Sequence, residues 1–292
     1  MNEKVITRII KIAGSSSIFF VLMIFAFLLK EGLPTVGEVP AGDMLQTRWY
    51  PIEQYFGLLP LISGSLVVTF ASILIALPFG IGTAVYIAEI APPIVKEILK
   101  PLIEVLAGIP SVVLGFIGIV LLSPFLRTAI HLPTGLTALA GAILLALISI
   151  PTIVSIAEDA LNAVPVSYRH ASYAMGATRW QTIWRVSLPA ARSGVLTGVM
   201  LGIGRSLGET MAVMMVTGNA PVVFKGLTTL TSPVRTMTAT IASEMGEVAT
   251  GSTHYHMLFF IGIVLFIFSL IINIISTQLS ARHKREKERI VS

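Results

Sequence analysis

Two ionisable residues sit inside an otherwise apolar run: Arg205 and Glu209, in Gly202-Ile203-Gly204-Arg205-Ser206-Leu207-Gly208-Glu209-Thr210-Met211. A guanidinium holds its charge permanently and offers a planar fork of donors, matched to two oxygens of a carboxylate or an oxyanion. At the centre of a membrane helix such a charge costs about 2.5–3.5 kcal/mol on insertion scales, so it is retained for a reason. A spacing of four puts both side chains on one helix face, where each lowers the other's cost. Two chemistries fit. The pair could hold helices together, or Arg205 could meet a passing anion with Glu209 as its resting counter-ion. Glycines at 202, 204 and 208 leave room for a helix or a solute to approach the backbone, which favours a substrate path.

Other chemistries lack their residues. No Gly-x-x-x-x-Gly-Lys-Ser/Thr cradle occurs, so the chain cannot hydrolyse ATP by itself. The histidines at 131, 170, 254, 256 and 283 have no metal-site spacing, and no Gly-x-Ser-x-Gly is present. No cofactor is expected in this chain. With no cysteine, disulfides and thiol chemistry are excluded.

The elements that must carry the pair follow from composition. Apolar residues make up 54% of the chain and charged residues 12%, with mean hydropathy +0.87. A soluble domain carries about twice that charge. A helix needs roughly 20 apolar residues to cross the hydrocarbon. Six segments qualify, about 12–30, 60–88, 102–126, 135–157, 194–217 and 257–279. They are continuous rather than alternating, so they are helices, and the expectation is a single all-α membrane domain over 1–292. The first span follows Lys4, Arg8 and Lys11, as a signal peptide would. Its apolar run is too long for one and no small-x-small cleavage site follows, so it reads as a retained anchor.

Basic residues set the expected orientation. Lys4, Arg8, Lys11, Lys96, Lys100, Arg169, Arg179, Arg185, Arg192, Arg282, Lys284, Arg285, Lys287 and Arg289 fall on one side, against Lys30, Arg48, Arg127, Lys225 and Arg235 on the other. The positive-inside rule then places both termini in the cytoplasm. The net charge of +5 is mostly this topology signal, and the basic tail fits anionic lipid rather than nucleic acid.

Between the fourth and fifth spans lies a polar segment, 158–193, with Arg179, Arg185 and Arg192 beside Trp180 and Trp184. A helix there, broken near Pro189, would lie flat on the cytoplasmic face and present a surface to a soluble partner. Pro78, Pro110 and Pro151 fall in the cytoplasmic halves of their spans. Each removes a backbone donor and loosens a turn. They are hinge candidates at a cytoplasmic gate, or an instance of proline's ordinary frequency in membrane helices. On the outer side, Trp49-Tyr50-Pro51 reads as an interface anchor, and Thr236–Val248 as a short amphipathic helix near the surface or a docking site for a soluble partner.

The polar segment also resembles the coupling loop of ABC importer permeases. That pattern is Glu-Ala-Ala, three residues, Gly, nine residues, then Ile-x-Leu-Pro. Gly176 and Val186-Ser187-Leu188-Pro189 fall in its register, while the first triplet reads His170-Ala171-Ser172 and lacks the acid. Trp49-Tyr-Pro51 with Phe56-Gly-Leu-Leu-Pro60, Ala107-Gly-Ile-Pro-Ser111, Ser149-Ile-Pro-Thr152, Gly204-Arg-Ser-Leu-Gly-Glu-Thr-Met211 and Thr217-Gly-Asn219 are similar to PstC-type permeases of the bacterial phosphate importer. The resemblance spans essentially the whole chain. It implies a type I ABC importer permease fold in a bacterial inner (plasma) membrane, moving inorganic phosphate by alternating access. It implies Arg205 and Glu209 on the phosphate path, and Ala171, Met175, Gly176, Ala177 and Arg179 at the ATPase. The implied partners are a second permease subunit, two ATPase subunits that carry ATP and Mg, and an external phosphate-binding protein. The alternatives are a permease for phosphonate, molybdate or sulfate, a self-contained secondary transporter with Glu209 as a proton site, or a membrane-embedded lipid enzyme.

Overall fold

The structure, a computed structural model, describes the backbone of residues 3–291 and the side chains of residues 5–275, 277 and 278. Ten helices carry the argument: α1 Glu3–Gly32, α2 Leu59–Ile90, α3 Pro93–Gly108, α4 Ser111–Ala129, α5 Ala138–Asn162, α6 Val166–Ala174, α7 Arg179–Gly208, α8 Met211–Val216, α9 Met237–Glu244 and α10 Thr253–Val291. A two-residue hairpin, β1 Trp49–Tyr50 against β2 Tyr55–Phe56, precedes α2. Six of the described helices are long and apolar enough to cross a membrane. The basic tail Arg282, Lys284, Arg285, Lys287 and Arg289, like Lys4, has its side chains outside the described residues.

The core is built on α5, which packs between α2 and α7. Lipid gives little hydrophobic drive for helices to associate, so close backbone approach through small residues must supply the contact. Ala140, Gly141, Ala142, Ala146 and Ala157 of α5 are all buried. Ile153 of α5 fills the notch left by Gly80 of α2 and Gly202 of α7, where an added Cβ would meet it at 2.8 and 2.7 Å. Three hydroxyls cross-link the same junction: Ser149 and Ser206 Oγ atoms lie 2.7 Å apart and Ser72 Oγ donates to Ser206 at 3.3 Å.

Four expectations are corrected here. The third span starts at Ser111, not 102, because Gly108-Ile109-Pro110 splits the apolar run. Ile109 precedes a proline and is pushed out of the helical region, to φ −67, ψ 127. Pro110 is therefore the cap before α4 and not a hinge inside a helix, whereas Pro78 and Pro151 do lie inside α2 and α5. The fifth span ends at Gly208, not 217, with α8 a separate short helix packed on α4. Finally, no break occurs at Pro189. A π-turn over Ile183–Ser187 widens the ladder ahead of it, and the helix runs on without the donor that proline lacks.

Trp49 is also not a surface anchor. It is fully buried, donates Nε1 to Glu244 at 3.1 Å, and ties the hairpin to α9. Glu244 also pairs with Arg235 at 2.8 Å and His254 at 2.8 Å, while His256 pairs separately with Glu38 at 3.0 Å.

Candidate functional site

Arg205 lies in the last turn of α7, on an exposed face of the chain. Its Nη1 donates to Thr152 Oγ1 at 3.1 Å and its Nη2 to the Ala107 carbonyl at 3.4 Å. Thr152 is 14 residues from the start of α5 and 10 from its end, hence about 21 and 15 Å along the axis. The guanidinium is thus near mid-depth of the helix bundle even though its own helix stops three residues later. Gly204 and Gly208 beside it have open space where a Cβ would stand, whereas Gly202 is used for packing.

The expected ion pair is not formed. Glu209 falls past the end of α7, in extended geometry at φ −70, ψ 133, so helical spacing no longer relates it to Arg205. Its Oε1 instead accepts from the amides of Thr210 at 3.0 Å and Ala212 at 3.3 Å, at the start of α8. Those amides have no intrahelical partner, and a carboxylate is the strongest acceptor for them. The Glu209 carbonyl receives Thr238 Oγ1 at 2.9 Å, which joins this corner to α9. Arg205 therefore rests on two neutral acceptors, a hydroxyl and a helix-end carbonyl, both weaker partners than a carboxylate and easily exchanged for an anion.

A second surface forms at the end of the bundle that carries segment 158–193. α6 ends at Ala174, and two residues on the chain turns at Gly176, whose φ of +82 is a left-handed stop. α7 starts with a reciprocal cap: Thr178 Oγ1 accepts from Gln181 N at 3.3 Å, and Gln181 Oε1 from Thr178 N at 2.8 Å. A Ser172–Thr182 hydroxyl contact at 2.9 Å pins α6 against α7. The turn so fixed displays Tyr168, Met175, Trp180 and Trp184 to the exterior, Met175 being 88% exposed. Ala171, Met175, Gly176 and Ala177 line one open depression of about 590 Å³ together with Arg185. Arg179 does not join them, since its guanidinium reaches back to the Glu89 carbonyl.

Glu89 escaped the sequence reading. It lies in the π-turn Tyr86–Ile90 that ends α2, with its side chain only 6% exposed. Arg169 of α6 binds it at 2.7 Å through Nη2 and also donates to the carbonyls of Leu161 and Val164 at 2.8 Å each. The polar segment is thereby clamped to both α2 and α5. An acid inside the apolar run Ile87-Ala88-Glu89-Ile90 was the available signal. Nearby, Glu158 of α5 binds Lys100 of α3 at 3.0 Å, and this hydrogen bond holds the Lys100 ammonium above its ordinary pKa. The Lys100 charge is therefore present at neutral pH, and its contribution is lost as pH rises past that raised value.

One prediction arises directly. Glu89→Gln should lower the thermal unfolding midpoint of the purified protein, because it leaves the Arg169 charge half-enclosed without its partner, a loss of about 3 kcal/mol. An unchanged midpoint would show that the clamp contributes nothing to stability.

With this geometry in view, the chain can be set beside known proteins. Residues 76–285 match the family described as binding-protein-dependent transport system inner membrane component. YqgH of Bacillus subtilis, named as a probable ABC transporter permease protein, is 42% identical over 266 residues, 88% of this chain and 84% of that protein. The phosphate transport system permease protein PstC of Mesorhizobium japonicum is 36% identical over 253 residues, 80% of this chain and 76% of that one. Among solved structures, a chain of the MetNI methionine ABC transporter superposes with TM-score 0.61 at 19% identity, covering 81% of this chain and 99% of its own. A chain of a bacterial alginate importer does so with TM-score 0.58 at 16% identity, covering 94% and 99%. The fold is that of type I ABC importer permeases, in a multi-pass inner membrane protein. By these matches the chain belongs to the family of binding-protein-dependent transport system inner membrane components, among the PstC-type permeases.

Proposed function

We propose that this chain is one permease subunit of an importer for inorganic phosphate, and that the anion passes Arg205. The observation that carries the reading is the resting state of that guanidinium. It stands near mid-depth on two neutral acceptors that an anion outcompetes. Its relatives named for phosphate transport supply the substrate. Glu209 caps α8 next to this point and so leaves the Arg205 fork to the anion. Pro78 and Pro151 each remove a backbone donor inside α2 and α5, and the turns so loosened are where the path opens and closes.

The complex in this reading contains a second permease subunit, two ATPase subunits with ATP and Mg, and an external phosphate-binding protein. The ATPase docks on the surface of Ala171, Met175, Gly176 and Ala177, and Arg179 with Glu89 relays its movement into α2. ATP binding pulls this surface and opens the path to the outside. Both termini lie in the cytoplasm.

Radioactive phosphate uptake into vesicles tests the function. Uptake that needs internal ATP is expected, and uptake driven by a proton gradient alone would favour a secondary transporter. Orientation is tested by single cysteines. One at Thr250 should react with an impermeant thiol reagent added outside intact cells, and one at Thr178 should not. Labelling at 178 would overturn the assignment of that surface to the cytoplasm.

A further inference from the structure

At the end of the bundle away from segment 158–193, the loop between α8 and α9 folds back against α2. Leu66, Phe70 and Leu74 of α2 and Phe224, Leu227 and Leu230 of this loop line a groove of about 460 Å³. The one hydroxyl in its lining, that of Ser63, donates to its own helix at the Pro60 carbonyl, 3.1 Å away. From Leu66 to Leu74 the groove follows α2 for about 12 Å. One leaflet of a bilayer supplies roughly 15 Å of hydrocarbon. α2 has 32 residues, a length of about 48 Å. That exceeds the hydrocarbon thickness, so its first turns stand above the acyl chains.

The bonding inside the loop suits the same setting. Irregular backbone is tolerated beside lipid only where its polar groups have partners. Here the loop's own hydroxyls supply them. Thr229 Oγ1 accepts from the Lys225 amide at 2.8 Å, and the Thr229 amide donates to the Gly226 carbonyl at 3.0 Å. The hydroxyls of Thr231 and Ser232 both donate to the Thr228 carbonyl at 3.0 Å. The Ser232 carbonyl in turn accepts from Ala138 N, at the start of α5, at 3.0 Å. At the tip Gly226 turns the chain at φ +91, where a side chain would be strained. Phe224 and Leu227 flank this turn and point outward, 53% and 82% exposed. Lys225, between them in sequence, is exposed as well. Hydroxyls folded onto backbone and apolar side chains turned out is the reverse of what water favours.

We propose that this groove binds an anionic phospholipid of the leaflet opposite segment 158–193. One acyl chain lies along α2 under Phe224 and Leu227, and the headgroup phosphate meets the Lys225 ammonium. The lining selects an acyl chain because it offers carbon along the direction in which lipid chains run, and no free polar group for a peptide to pair with. Lys225 can lay its stem on the apolar tip and keep its charge at the headgroup level. One lysine at a membrane surface favours an anionic headgroup by about fivefold. The proposal does not depend on the role of Arg205.

The test uses the whole permease–ATPase complex in lipid discs. This chain has no cysteine, so Leu227→Cys, assembled with cysteine-free partner subunits, takes a single fluorophore at the exposed tip. Phosphatidylglycerol with brominated acyl chains is expected to quench it, and iodide in the water is not. Brominated phosphatidylcholine should need about a fivefold higher mole fraction for the same quenching. Lys225→Gln should abolish that headgroup preference and leave quenching by the chains in place. Quenching by iodide without quenching by bromine would put the tip in water and overturn the proposal. Protection from both quenchers would mean that a protein surface, such as the second permease subunit, covers the groove, and overturns it too. Equal quenching by the two lipids in the unaltered loop, or a preference that survives Lys225→Gln, overturns the pairing of Lys225 with the headgroup.

Discussion

Arg205→Gln is expected to cut ATP-driven phosphate uptake by about two orders of magnitude while the subunit still reaches the membrane and assembles. The size follows from removing the charged partner of a partly desolvated anion, a loss in the range of 2–5 kcal/mol. Assembly survives because the guanidinium contributes only two contacts to neutral groups, at 3.1 and 3.4 Å, each worth about 1 kcal/mol or less, and glutamine can keep one of them. Uptake and membrane abundance measured together separate the two effects. Retained uptake would remove Arg205 from the path. Loss of uptake in step with loss of protein would make the residue structural. Because no ion pair joins Arg205 to Glu209, the charge-swapped double variant should stay inactive, and Glu209→Gln should reduce turnover by only about threefold. Its amide oxygen can still accept from Thr210 and Ala212, so the cap on α8 is kept.

Gly176→Leu should abolish ATP-driven uptake, with little change in how much protein reaches the membrane. At φ +82 an L side chain is strained by about 1–2 kcal/mol. Within the chain nothing lies within 4 Å of an added Cβ, so the fold itself has space for the side chain. Any loss beyond that strain must come from what docks there. Gly176→Asn separates the two causes, since asparagine tolerates the left-handed region and adds less bulk. It should retain several times more uptake than the leucine variant. Equal uptake in both variants at the unaltered level would show that this depression is not the docking surface.

Much of the architecture was legible in the chain. Six apolar runs, too long and too continuous for strands or core helices, can satisfy their backbones in lipid only as helices. The polar stretch between the fourth and fifth of them stood out because lipid offers nothing to its arginines and tryptophans. Arg205 was visible as a charge inside an apolar run. Its place in the helix was not: a run of 194–217 puts it near the middle of the fifth span, whereas it lies in the last turn of α7 and touches Thr152 of α5.

The misreadings share one cause. Hydropathy sums over a window and does not register where the backbone turns. The runs at 102–126 and 194–217 look continuous, yet Ile109-Pro110 and Gly208-Glu209 break them through backbone geometry that composition does not weigh. Once α7 ends at Gly208, a spacing of four no longer means a shared face, and Glu209 turns to the free amides of α8. Trp49 was misplaced for a related reason. An indole near a membrane surface suits an interface belt, but Glu244, 195 residues away, gives its N–H a half-buried partner.

The sequence by itself determined the solvent, the number of spans and the residues with charge to spare, because the cost of a group in lipid depends on its chemistry alone. Only the tertiary structure decided the partners. Glu89 meets Arg169 across 80 residues, and Arg205 meets the Ala107 carbonyl across 98. Such contacts are set by which helix ends are brought level in the bundle. That depends on the packing of Gly80 and Gly202 against Ile153, and on the point where each helix stops. No short-range pattern encodes either, because each is a property of three helices at once.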